Sequence, residues 1–242
     1  MNKRILVIIP ARGGSKGIPR KNLQILLGKS LLQRTCELAL SLNSVSEVVC
    51  SSEDPEILQM AQSYGVATPF QRPESLALDN STTADVIVHA LNEMERIGKA
   101  FDFFILLEVT SQLTRNFDVE LGLKYLLENN NFDSLITITK SESGHPIFTF
   151  LFDSETNAVK PYLNEPWRAV RRQEIDPLYF IEGSFYISKV ESFLRHKSFV
   201  HNKTMGFIVP KWQSFEIDDP LDLVIVEAIM KEMVMKGEFP SA

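Results

Sequence analysis

Arg12, Lys16, Arg20 and Lys21 fall within ten residues that also contain Gly13, Gly14 and Gly17. Glycines let backbone N–H groups come close to a phosphate, and cations balance its charge. Ser15 adds a hydroxyl donor to the same stretch. An apolar run over residues 4–9 precedes it, and Pro10 ends that run. The chemistry these residues suit is the binding of a triphosphate at the end of a first strand. The segment is not a P-loop, which needs Gly-x-x-x-x-Gly-Lys-Ser/Thr. Gly28-Lys29-Ser30 imitates the end of one, but Leu23 stands where its first glycine belongs. The dinucleotide pattern Gly-x-Gly-x-x-Gly is also absent.

A second candidate lies near the C-terminus, in Phe215-Glu216-Ile217-Asp218-Asp219-Pro220-Leu221-Asp222. In a strand, residues two apart share a face, so Glu216 and Asp218 point together. Two carboxylates on one face repel unless a cation lies between them. Magnesium accepts one or two carboxylates together with substrate phosphate oxygens. Glu216 and Asp218 are therefore candidate metal ligands. Asp219, Pro220 and Asp222 read as a helix start, with Asp219 as cap and Pro220 at the first position.

These groups need a scaffold. Residues 4–9 predict a buried strand, and residues 11–22 a loop. Ser30 caps a helix with apolar positions from Leu31 to Leu42. Glu47–Ser51 reads as a strand, Asp54-Pro55 as a helix start ended by Gly65, residues 82–97 as a helix ended by Gly98, and Phe103–Leu107 as a third strand. Strands alternating with helices indicate an α/β fold with a mostly parallel sheet covered on both faces. Ligands in such sheets bind at the carboxyl ends of the strands, where the loop at 11–22 and the turn at 108–115 both lie. After about residue 140 the pattern changes. Residues 147–152 and 158–163 suggest a hairpin. Trp167, Arg168, Arg171 and Arg172 follow between prolines, so about 145–177 reads as an insertion. Residues 178–188 and 206–209 return to strand character, and 221–235 form a last helix.

The whole of residues 1–242 suits one domain. A net charge of −6 argues against a nucleic-acid partner, and the single basic cluster suggests a local anion site. No apolar run approaches the ~18–20 residues that span a bilayer, so no membrane partner is expected. The apolar run at 4–9 is too short for a signal-peptide core, which points to the cytoplasm. Cys36 and Cys50 read as buried thiols of a reducing compartment. The histidines at 89, 145, 196 and 201 show no ligand spacing.

The sequence Pro10-Ala-Arg-Gly-Gly-Ser-Lys-Gly-Ile-Pro-Arg-Lys-Asn22 resembles the opening motif of the CMP-N-acylneuraminate cytidylyltransferases, or CMP-sialic acid synthetases. Their relatives for legionaminic and pseudaminic acids carry the same motif. The resemblance runs through nearly the whole chain. It implies a Rossmann-like nucleotidyltransferase sheet of the nucleotide-diphospho-sugar transferase type. It also implies CTP held by Ala11, Arg12, Gly13, Gly14, Ser15, Lys16, Lys21 and Asn22.

Ser51-Ser52-Glu53-Asp54 resembles the family's strand-end Ser-Thr-Asp segment. Arg72-Pro73-Glu74 through Thr83 resembles its cytosine-binding segment, which makes Arg72, Ser81 and Thr83 candidate base contacts. Leu106-Leu107-Glu108-Val109-Thr110-Ser111 resembles Leu-Leu-Gln-Pro-Thr-Ser, with Glu108 in place of glutamine. This implies substrate contacts at Glu108, Thr110 and Ser111, with the family's arginine shifted to Arg115. Glu182-Gly183-Ser184-Phe185-Tyr186 falls where the family has Asn-Gly-Ala-x-Tyr, implying contacts at Glu182 and Gly183; Phe180 stands near the place of a basic residue. Glu216-Ile217-Asp218 falls where the family has Asp-Ile-Asp, whose acids bind Mg2+.

The implied reaction transfers CMP from CTP to the anomeric hydroxyl of an acidic nonulosonic sugar, releasing pyrophosphate, for cell-surface glycan synthesis. Arg12, Lys16, Lys21 and Asp218 are its expected catalytic residues. The insertion resembles the family's dimerisation element, so a homodimer is expected. Three other readings stay open: a CMP-Kdo-type synthetase, a GTP or UTP nucleotidyltransferase, and a catalytically silent nucleotide-binding homologue.

Overall fold

The computed structural model describes residues 3–141, 144–163, 171 and 174–239. At its centre is β1 (Ile5–Pro10), whose side chains alternate between two cores. Ile5, Val7 and Ile9 enter one, and Leu6 and Ile8 enter the other. All five are essentially inaccessible to water. This explains the unbroken apolar run, since a central strand covered on both faces has no polar side. Burying each such side chain contributes about 1.5–3 kcal/mol.

The helices follow the sequence signals closely. Ser30 Oγ accepts the Gln33 N–H at 3.0 Å and caps α1 (Leu31–Leu40). After β4 (Glu47–Ser51), Asp54 caps α2 (Pro55–Ser63) by accepting from Glu56 N–H. Thr82 caps α3 (Thr83–Arg96), which leads into β5 (Phe103–Leu106). Gly28-Lys29-Ser30 is no phosphate motif. It forms the turn and second strand of a small hairpin, β2 (Ile25–Leu26) with β3 (Lys29–Ser30).

Residues 116–140, for which no element is predicted above, hold α4 (Asn116–Glu128) and β6 (Ser134–Lys140). The predicted hairpin is β7 (Phe150–Phe152) paired antiparallel with β8 (Val159–Pro161). Trp167, Arg168 and Arg172 lie outside the described residues, and Arg171 is exposed. Next come β9 (Tyr179–Lys189), α5 (Val190–His196), β10 (Thr204–Ile208) and α6 (Pro220–Met235).

The main sheet has the order β10-β6-β9-β5-β1-β4. It is parallel except for β9, which runs antiparallel to both β5 and β6. The chain leaves β1 toward β4 through α1, then returns through α2 and α3 to β5 on the other side. The carboxyl end of β1 is thus a topological switch point, the usual place for a ligand crevice. Opposite β6, the register of β9 slips between Ile136 and Ile138, placing a bulge over residues 182–185. Bulges of this kind re-aim side chains.

Cys36 and Cys50 are free and buried, and burial pushes the Cys50 thiol up to about 12. The rings of His196 and His201 stack 4.5 Å apart, and His201 Nε2 faces the hydroxyls of Ser134 and Ser192. Among the described residues, no helix is long and apolar enough to cross a membrane.

Candidate active site

The loop after β1 is fixed at both ends. Ala11 N–H donates to Ser51 O at 3.0 Å, and Asn22 Nδ2 donates to Arg12 O at 2.8 Å. Asn22 is buried, so its side chain shapes the loop instead of facing solvent. Lys21 Nζ reaches Asp218 Oδ1 at 3.0 Å, joining the loop to the carboxylate segment 197 residues away. Gly17 makes that approach possible, because a Cβ there would sit 2.1 Å from the Asp218 carbonyl oxygen. Arg12 and Lys16 both turn to Asp79, at 3.2 and 2.7 Å. Their pull, led by the Lys16 hydrogen bond, holds the Asp79 carboxyl below its ordinary value. Gly14 and Lys16 remain open to solvent, and Ser15 is half-buried.

Glu216 and Asp218 do face one groove, but not from a strand. Residues 215–219 form an extended connection into α6. Ile217 N–H donates to Thr110 O at 3.1 Å, and its side chain is fully buried. The acids on either side therefore point away from the core together. The alternation holds because Ile217 anchors the segment, without a ladder of strand hydrogen bonds. Asp219 and Asp222 cap α6 reciprocally, as expected.

The groove they line has a volume of about 460 Å³, and Glu182, Gly183, Tyr186 and Phe180 contribute to it. Ser111 Oγ donates to Gly183 O at 3.1 Å and to Glu216 Oε1 at 3.3 Å. Gly183 has φ +85°, and a Cβ there would meet Glu216 Oε1 at 2.0 Å. Glu182 is turned by the bulge onto Ser184, whose N–H and Oγ donate to its two carboxylate oxygens at 3.0 and 2.7 Å. A larger cavity of about 1150 Å³ lies at the other end of the sheet. Its cations Lys3, Lys99 and Lys189 are paired with Asp102, Glu47 and Asp133, so it offers no comparable chemistry.

Residues 6–143 match a sequence family described as cytidylyltransferase. The chain belongs to the cytidylyltransferase family. It is 30% identical over 229 residues to a CMP-N,N'-diacetyllegionaminic acid synthase of Legionella pneumophila, covering 94% of this chain and 97% of that protein. It is 29% identical to a pseudaminic acid cytidylyltransferase of Campylobacter jejuni, covering 93% and 96%. Its fold is that of a CMP:2-keto-3-deoxy-manno-octonic acid synthetase solved with CTP, with a TM-score of 0.69 at 19% identity, over 95% of this chain and 99% of that one.

The acids in and around this groove are crowded. Burial pushes the Glu108 carboxyl up to about 7, with Glu216 adding repulsion while Lys21 and Arg72 pull the other way. Glu216 is also raised, first by burial and then by Asp218 and Glu182, against the Ser111 hydrogen bond and Lys21. Burial raises Glu182 despite its Thr137 and Ser184 partners. Tyr186 is raised by burial and by the same three glutamates, so it stays a neutral donor. Protonated, Glu108 has one O–H to donate, which restores the donor that a glutamine would supply.

Arg72 is only 4% exposed, and its Nη2 donates to Glu53 Oε2 at 2.6 Å. Ser81 and Thr83 lie further along the same segment. Ser81 Oγ donates to Ser75 O at 2.8 Å, and Thr83 is the exposed first residue of α3. Arg115 turns away from the groove, pairing with Asp118 at 2.6 and 3.0 Å and lying over Trp212. The roles of Glu53, Asp79 and Tyr186 were not visible as individual residues in the sequence. Their only signal was membership of segments that resemble the family.

Proposed function

We propose that the protein transfers CMP from CTP to the anomeric hydroxyl of an acidic nonulosonic sugar and releases pyrophosphate. One observation carries this reading: the Lys21–Asp218 contact, which joins the glycine-rich loop after β1 to the segment that carries the carboxylate pair. The full-length likeness to synthases of CMP-legionaminic and pseudaminic acids supports the sugar class.

The loop's Arg12, Lys16 and Lys21 surround the place for the triphosphate. Each exchanges its carboxylate partner for phosphate oxygens when CTP enters. The anomeric oxygen then bonds to the α-phosphorus as the bond to the pyrophosphate oxygen breaks, and the hydroxyl proton is released. Catalysis of such a step rests on positioning and on neutralising charge spread over phosphoryl oxygens. Arg72 is the base-reading residue, with Ser81 and Thr83 flanking the same segment. Thr110, Ser111, Gly183, Glu182 and Glu108 form the sugar side.

The donor set fits Mg2+. Glu216 and Asp218 face one groove, and Asp218 raises Glu216 by repulsion, a cost that a cation between them would remove. Among the described residues no cluster of three or more His, Cys, Asp or Glu could hold a metal. Two carboxylates plus phosphate oxygens are what Mg2+ accepts. When bound, the ion supplies charge neutralisation at the phosphates.

The hairpin β7–β8 and the start of β9 carry an apolar surface that includes Leu151, Phe152, Val159, Tyr162 and Ile181. A second copy of the chain is its proposed cover, making a homodimer. The free thiols Cys36 and Cys50 support a reducing, cytoplasmic setting.

The test is pyrophosphate release from CTP and Mg2+ with N-acetylneuraminic, legionaminic, pseudaminic and Kdo acids as acceptors. Release with one of the three nonulosonic acids is expected, falling by about 10²-fold or more in Lys21→Ala and Asp218→Ala. Release with Kdo alone, or with none of the four, overturns the reading.

A further inference from the structure

One half-buried carboxylate beside the loop after β1 has no role in the reading above. Glu53 follows β4 at the carboxyl edge of the sheet and is partly buried. Its Oε1 accepts the Gly13 N–H at 2.7 Å, and its Oε2 accepts from Arg72 Nη2 at 2.6 Å. The two donors belong to different parts of the chain, one to the loop after β1 and the other to the segment leading into α3.

We propose that Glu53 is a positioning residue that fixes the distance between the arginine that reads the nucleobase and the loop that holds the triphosphate. The inference rests on the reading of those two elements given above.

Several features make Glu53 a spacer and not just a neutralising charge. Its backbone is tied to the same segment, since Ser52 O accepts Arg72 N–H at 2.9 Å and Glu53 O accepts Gln71 Nε2 at 2.7 Å. The backbone that carries the carboxylate is therefore held against the segment that carries Arg72. Arg72 is buried and its Nε has no hydrogen-bond partner among the described residues, so Glu53 is the carboxylate that holds its orientation. Burial pushes the Glu53 carboxyl up, but the Arg72 and Gly13 donors more than offset this and hold it below its ordinary value. It is therefore ionised at neutral pH, with both oxygens engaged as acceptors. A base and a triphosphate are joined by a ribose of fixed length. An enzyme that reads both ends gains from a rigid strut between the two subsites.

The chemistry also predicts how the strut fails. Glutamine has one acceptor oxygen, so its amide must present N–H groups to one of the two donors. Glu53→Gln thus keeps size but breaks one contact. Glu53→Asp keeps the charge that pairs with Arg72 but shortens the reach, so it serves as the variant that folds if glutamine does not.

The experiment is calorimetric binding of CTP, UTP and inorganic tripolyphosphate to the full chain, its Glu53→Gln and Glu53→Asp variants and Arg72→Met. Arg72→Met should weaken CTP more than it weakens tripolyphosphate, because it removes the base contact itself while Glu53 still accepts the Gly13 N–H. The Glu53 variants should weaken both CTP and tripolyphosphate by about tenfold or more, and also lower the CTP-over-UTP preference. A variant that changes only thermal stability overturns the proposal. So does one that weakens CTP and tripolyphosphate equally with the base preference intact, since Glu53 then serves the loop alone. Loss of CTP affinity with tripolyphosphate unchanged overturns it too, since Glu53 then serves the base end alone. Failure of the unaltered protein to bind CTP is a different result. It removes the nucleotide reading itself, and this inference with it.

Discussion

Replacing Glu108 by glutamine should stabilise the protein in a pH-dependent way. Burial, and then repulsion by Glu216, raise the Glu108 carboxyl from 4.5 to about 7. For an acid raised on folding, the unfolded chain gives up its proton first. Stability is therefore full below about pH 4.5 and declines as pH rises toward 7. A difference of that size corresponds to about 3 kcal/mol once pH exceeds both values. Glutamine carries no proton to lose and no charge to repel Glu216. The variant's advantage over the parent should grow by about 2–3 kcal/mol between pH 5 and pH 8.5. With a urea dependence of roughly 3 kcal/mol/M, the midpoints should separate by nearly 1 M across that range. Urea unfolding at the two pH values, followed by circular dichroism, measures this directly. An advantage that stays within about 0.5 kcal/mol at both would refute the reasoning. It would mean that Lys21 and Arg72 neutralise Glu108 in the folded protein, and that the carboxyl is never the protonated donor that the groove calls for.

Other outcomes follow from single contacts. Gly183→Ala places a Cβ against Glu216 Oε1 at a residue with φ +85°, so it should cost about 2 kcal/mol or more in chemical unfolding and displace the Glu216 carboxylate. Asp118→Ala strips the Arg115 guanidinium and Gln213 Nε2 of their shared partner, and should cost roughly 3–5 kcal/mol by the same measurement. Phe152→Glu lies on the exposed hairpin, 64% accessible, and should turn the proposed dimer into a monomer in light scattering with little change in melting temperature. Cys36 and Cys50, both buried and both raised by burial, should resist a thiol reagent at pH 8 until the chain unfolds.

Much of the scaffold was legible because its signals are local. Ser30, Asp54 and Asp219 each cap the helix that their sequence context predicts, and Glu47–Ser51 is a strand over those same residues. The stretch 116–140 was harder. Its helix buries Val119, Leu123 and Leu126 but has Arg115, a residue whose side chain makes no cap, at its N-cap, so its start has no sequence punctuation. The direction of β9 was illegible too. An apolar strand reads the same whether its neighbours run parallel or antiparallel, and only the long excursion through β7 and β8 brings it back reversed.

The site divides along the same line. Charge and glycine content marked the loop, because phosphate chemistry needs particular residue types close together in sequence. Glu216 and Asp218 were marked by spacing, although the face they share comes from the buried anchor Ile217 instead of a strand. What one sequence cannot display is the approach of distant segments. Gly17 and Gly183 read as loop and strand glycines, one beside the phosphates and one on the substrate side. In the folded chain each is also the place where the acid segment touches down, Gly17 under the Asp218 carbonyl and Gly183 under the Glu216 carboxylate. A side chain at either position would push the acids out of the groove. Absence of a Cβ at two points 166 residues apart in the chain thus places the acid pair across from the loop. The Lys21–Asp218 contact closes the arrangement. That is why the loop alone indicates an anion site, whereas the glycines, seen with what they touch, define where the loop and the carboxylates meet.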